Sequence, residues 1–274
     1  MRTLRRLGVV AATLALGGCF QSSTLLKVDA DGSGTIEQRT IMTAAALAQL
    51  RQFGGAFGNA DDKKIDPFSE EDARRVATEM GEGVTFVSST PIASALGEGH
   101  TTVYAFQDIT KIRVKDASSS QLPRGAHIPD TDVVSQKNRD FEAGLTHTRD
   151  GNALLTLHMP GQRVESLLQA RGPDSGKPIK PSDLAMFRQM FSGLRMAIQV
   201  EPAGRVVRTN SRYVDGQTVT LFDIDLDEFL RDEVALNRFQ AANSLDEVSA
   251  VLKDVRGLKV TPDTEITIEF TPTR

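Results

Sequence analysis

Behind an N-terminal apolar segment, apolar and polar residues alternate. Leu26, Val28 and Ala30 share one parity; Asp31-Gly32-Ser33-Gly34 follows, then Ile36, Thr40, Ile41 and Met42. Period two around a glycine-rich turn predicts a β-hairpin over 24–43. Residues 44–53 (AAALAQLRQF) predict a helix. A second helix is predicted over 69–80, with Ser69 as its cap, acidic residues at 70–72 suited to the positive end of its dipole, and Gly81 as its stop. Strands are predicted over 84–88 and 100–114, joined by a loop carrying Gly97 and Gly99, with Tyr104 and Phe106 facing a core.

Residues 116–140 are polar, contain Pro123 and Pro129, and show no period. A stretch of that kind predicts an exposed loop or linker and marks the best domain boundary. Beyond it, 141–148 and 153–159 flank Asp150-Gly151 as a hairpin. A short helix over 162–170, a loop over 171–181 and a helix over 182–191 follow; Leu184, Phe187, Met190 and Phe191 form a stripe on the last. Strands are predicted at 194–200, 205–211 and 218–225, helices at 227–241 and 244–256, and a last strand at 265–270. The expectation is an α+β fold of mainly antiparallel sheets with packed helices. It is organised as a leader (1–18), an N-terminal subdomain (19–115), a linker (116–140) and a C-terminal subdomain (141–274) of similar size.

The leader changes this picture most. Arg2, Arg5 and Arg6 precede an apolar run of about ten residues, too short to span a bilayer, which needs roughly twenty. The run closes on Leu16-Gly17-Gly18-Cys19, and Cys19 is the chain's one cysteine. This arrangement resembles the lipobox of bacterial lipoproteins. The resemblance implies export by the general secretory route and cleavage between Gly18 and Cys19. It also implies diacylglyceryl transfer to the Cys19 thiol and acylation of the freed amine, with acyl chains such as palmitate. Two or three chains hold a protein stably at a membrane, whereas one holds it only reversibly. Phe20 stands where enterobacteria place Asp for inner-membrane retention, so the periplasmic side of the outer membrane is expected in a diderm host. With Cys19 acylated, no disulfide can form.

Charge excludes one class of partner. The leader holds three of the 32 basic residues and none of the 36 acidic ones, so its removal takes the formal net charge from −4 to −7. Nucleic acid wants a basic face. The chain has no tryptophan and only two tyrosines, Tyr104 and Tyr213, which weakens a sugar-stacking site.

Candidate chemistry is sparse. Asp29, Asp31, Ser33 and Gly34 match the opening of a calcium loop. The twelfth position is Thr40 instead of a bidentate Glu, and the flanks alternate like strands. A hairpin turn is the main expectation and calcium binding the alternative. His100, His127, His147 and His158 lack zinc spacing. No G-x-S-x-G elbow occurs, and Gly172–Pro178 is one residue short of a phosphate loop, with Pro178 in place of Ser or Thr. No cofactor is expected. Asp223, Asp225 and Asp227 share one strand parity opposite Phe222, Ile224 and Leu226; they form a candidate carboxylate set or a solvated face.

Leu26–Thr35 (LKVDADGSGT), close behind a lipidated cysteine, resembles the start of poorly characterised bacterial lipoproteins, as do Gly83–Ser89 and Tyr213–Thr220. The start is shared with LppM-type lipoproteins, which carry a C-terminal membrane segment; residues 141–274 hold no apolar run of that length. The resemblance implies an α+β ectodomain and brings no catalytic residues. The leading expectation is an envelope lipoprotein held to the membrane through acylated Cys19. Its ectodomain binds an envelope protein or apolar ligand without catalysis. An envelope hydrolase using Asp223 and Asp225, and a structural envelope component, are the alternatives.

Overall fold

A computed structural model of the chain describes residues 20–44, 46–48, 68–113, 141–158, 181–242, 244–252, 255–261 and 263–273. Gly18, Cys19, His127, segment 116–140 and the helix expected over 162–170 lie outside these residues, as does most of the loop expected over 171–181.

The N-terminal alternation folds as a hairpin of β1 (Phe20–Val28) and β2 (Gly34–Met42), with Leu26 opposite Ile36 and Val28 opposite Gly34. Gly32 turns the chain at φ +89°, a conformation open to glycine at little cost. A Cβ on Gly34 would collide with the Lys27 carbonyl oxygen and the Phe106 ring, so glycine lets the strands approach there. Helix α1 (Glu70–Glu79) starts at Ser69, whose hydroxyl accepts from the Asp72 N–H at 3.1 Å.

β3 (Thr85–Ser94) and β4 (Gly97–Phe106) form a longer hairpin than the pattern predicts, and the expected loop shrinks to two residues. Ser89-Thr90-Pro91 reads as loop. β3 is an edge strand, where a proline can sit without loss of a ladder bond. β4 stops at Phe106, before a single 3₁₀ turn over 109–111.

β5 (Glu142–His147) and β6 (Ala153–His158) form the second predicted hairpin. After α2 (Pro181–Met190) come β7 (Arg195–Pro202), β8 (Gly204–Thr209), β9 (Val214–Asp215) and β10 (Thr218–Asp225). The helix predicted over 227–241 is two, α3 (Leu226–Arg231) and α4 (Glu233–Ala241). They break at Asp232, whose carboxylate caps α4 by accepting from the Ala235 N–H at 2.9 Å. α5 (Leu245–Leu252), β11 (Leu258–Val260) and β12 (Glu265–Pro272) complete the described elements. β9 and β11 are too short to show a period in sequence.

The fold is α+β with mostly antiparallel sheets. The larger sheet has the order β11-β10-β7-β1-β2-β4-β3, with β9 paired to β10; the smaller runs β5-β6-β12-β8. Strands from both sides of residues 116–140 share the larger sheet, where β1 and β7 pair in parallel. The main core lies between the sheets. Leu26, Val28, Ile36, Tyr104, Phe106 and Val200 come from the larger one, and Ala153, Leu155, Leu157, Ile266, Ile268 and Phe270 from the smaller. Burial pushes the Tyr104 hydroxyl up to about 12. A second cluster joins α2–α5 through Leu184, Phe229, Leu236, Val248 and Val251. A third, at the start of β1, gathers Met42, Ala46 and Leu47 with Phe20 and Phe68.

Candidate functional site

Alternate residues of one strand share a face, and register partners on neighbouring strands sit side by side on that face. The core-facing side of the larger sheet can therefore be read row by row. Nearest the β1 start lies Phe20–Met42–Glu98–Ala93. Next come Ser22–Thr40–His100–Pro91 and Thr24–Gln38–Thr102–Ser89. Then follows Leu26–Ile36–Tyr104–Phe86, which opens the main core. Two adjacent rows are thus almost wholly hydroxyl, carboxamide and imidazole, set between rows that are apolar apart from the exposed Glu98. On β7 they are flanked by Met196 and Ile198.

The belt is partly buried. Thr24 and Gln38 are each only 9% exposed. Among the described residues, neither the Thr24 hydroxyl nor the Gln38 carboxamide has a hydrogen-bond partner. Native proteins pair nearly all such groups, because an unpaired one costs about 1–3 kcal/mol. At the β3 end the belt is better satisfied. The Ser89 hydroxyl lies 2.7 Å from His100 Nδ1 and 3.4 Å from Thr102 Oγ1. The Phe68 ring stacks on His100, centroids 4.9 Å apart and planes 3° from parallel. In a neutral imidazole one nitrogen donates and the other accepts, so Nε2 is left as a second hydrogen-bonding atom.

Ser89 and His100 have the atoms of an acyl-transfer dyad without its supports. Such a base is oriented by an acid on its other nitrogen, and the nucleophile faces oxyanion donors. Among the described residues no carboxylate pairs with His100. The pair is a cross-strand hydrogen bond within a polar surface suited to binding uncharged groups.

The residues singled out in sequence take other roles. The Ser33 N–H and hydroxyl both donate to Asp31 Oδ1, at 2.9 and 2.7 Å, and the hydroxyl also lies 3.4 Å from Asp29 Oδ2. These bonds hold the Asp31 carboxyl below its usual range and tie the hairpin turn. Asp223 is buried and takes a two-pronged contact from Arg195, at 3.3 and 3.1 Å. That bond, with Asp225 and Glu228 nearby, holds the guanidinium pKa above its ordinary value. Asp225 caps α3 by accepting from the Glu228 N–H at 3.0 Å, and Asp227 accepts from the Gly193 N–H at 2.9 Å. The register of β10 against β7 shifts between Thr220 and Phe222, a bulge that breaks the simple alternation. His147 hydrogen-bonds the Ala30 carbonyl oxygen at 3.0 Å, and His158 lies 3.5 Å from Glu265. These two histidines pair with Ala153 and Glu142 across the hairpin, so they do not meet.

Among the described residues, no group of three or more His, Cys, Asp or Glu side chains could hold a metal ion. Within the same residues no helix is long and apolar enough to cross a membrane.

The class these observations define is an α+β protein of two mostly antiparallel sheets with a partly buried polar belt on the inner face of the larger one. No protein-family profile and no curated protein matches the chain. Among solved structures, the NMR structure of the folded domain of LppM from Mycobacterium tuberculosis is similar over 94% of this chain and 92% of that one. The identity is 10% and the TM-score 0.32.

Proposed function

We propose that this chain is a bacterial envelope lipoprotein, anchored by acyl chains on Cys19, whose ectodomain binds a ligand or partner without catalysis. The observation that carries the anchor is the basic and apolar leader ending in Leu16-Gly17-Gly18-Cys19. The belt supports the binding role. Thr24 and Gln38 offer a hydroxyl and a carboxamide that find no partner among the described residues. A ligand carrying an uncharged donor and acceptor, flanked by apolar groups, recovers the cost of burying them. The partners of Asp223 and Asp225 support this reading over a hydrolase, since Arg195 and the start of α3 already engage both carboxylates.

The test is purification of the full chain from its native membrane, followed by mass spectrometry of the intact protein and of an organic extract. The expected result is an acylated Cys19 and a co-purifying compound that the Gln38→Leu variant releases while remaining folded. Recovery of neither a ligand nor a protein partner with the wild-type chain would refute the binding role. Continued acyl labelling of Cys19→Ser would refute the anchor.

A further inference from the structure

The anchor and the sheet together set an orientation. Cys19 is peptide-bonded to Phe20, the first residue of β1, so their Cα atoms are about 3.8 Å apart. β1 is an interior strand: Gln21 pairs with Ile41 on one side and Arg195 on the other. The strand next to the anchor is held along both edges, and no spacer residues stand between it and the cysteine.

We infer that the β1-start end of the larger sheet is the membrane-contacting face of the protein, seated at the headgroup level of the leaflet that holds the acyl chains. This rests on the lipoprotein reading above. The surface at that end fits a lipid boundary. Phe20 and Phe68, both half-buried, lie beside the anchor and pack on the buried Met42, Ala46 and Leu47. Leu96, in the two-residue turn between β3 and β4, is 50% exposed. The register Phe20–Met42–Glu98 puts that turn two strands away, about 10 Å across the sheet. At the opposite end, the Asp29–Ser33 turn lies roughly 26 Å along β1 from Phe20. The polar belt then begins one row above the membrane face, with Ser22 two residues from Phe20. The chain is net acidic, so the contact depends on the acyl chains and on apolar side chains instead of on anionic headgroups.

The absence of tryptophan makes the test clean. Leu96→Trp and Val87→Trp put single fluorophores at exposed positions, 50% and 55%, near opposite ends of one hairpin. The acylated full chain is placed in phosphatidylcholine vesicles with and without brominated acyl chains. Expected is at least about two-fold stronger quenching for Leu96→Trp than for Val87→Trp. Equal quenching, or stronger quenching at Val87, overturns the orientation. Amide exchange on the wild-type chain is the check that needs no substitution at either tip. Vesicle-bound protein should exchange more slowly at 95–98 than soluble Cys19→Ser protein, with no change at 29–33; slowing at 29–33 alone overturns the inference. Mass spectrometry of the same samples separates the two failures: a bare Cys19 refutes the lipoprotein reading, while an acylated Cys19 with the wrong quenching order refutes only the orientation.

Discussion

The two faces of the larger sheet carry polar groups of opposite character. On the outer face, Asp223 is buried but clamped by Arg195, and Asp225, at the end of β10, accepts a backbone N–H. On the inner face, Gln38 and Thr24 are equally buried, with no hydrogen bond among the described residues. Charge draws the eye to the first set, yet satisfied charges are structural. The neutral set is the better place to look for function, because an unpaired buried dipole is a cost that folding alone does not explain.

Stability measurements can break this comparison. Ile36→Ala, in the apolar row next to the belt, is expected to cost about 3 kcal/mol in urea unfolding through lost burial and a residual cavity. Asp223→Asn is expected to cost about 1–2 kcal/mol, less than a fully buried pair, because Arg195 is half-exposed and can turn to water. Gln38→Leu should leave stability unchanged or raise it by up to about 1 kcal/mol, since it removes a buried carboxamide that lacks a partner. A Gln38→Leu loss larger than that of Asp223→Asn would mean that Gln38 is a structural residue, and the contrast between the faces would fail.

Much of the fold was legible where period two was strong. Leu26, Val28 and Ile36 marked the first hairpin, and Asp150-Gly151 the second. The β3–β4 hairpin was harder, since Ser89–Pro91 has the composition of a loop and only its place on a sheet edge makes it a strand. That misreading hid the belt. Ser89 and His100 are eleven residues apart, and a spacing rule for histidines does not see a neighbour across a hairpin. Parity alone does not reveal it either: the β3 register shifts between Phe86 and Ser88, and only this bulge brings Ser89 to the face of Phe86, Thr102 and Gln38. The acidic run failed for a different reason: strand parity predicts which way Asp223 and Asp225 face, but it is blind to a bulge and to the arginine opposite.

The parallel pairing of β1 with β7 has a consequence for how the protein is made. Gln21 meets Arg195 about 170 residues later in the chain, a long loop to close. Until that stretch has been made, β1 has its β2 partner and an open second edge, which can template pairing with another chain. The first strand made thus waits for β7 before both of its edges are covered, and a fragment ending before β7 keeps this central strand as a sticky edge.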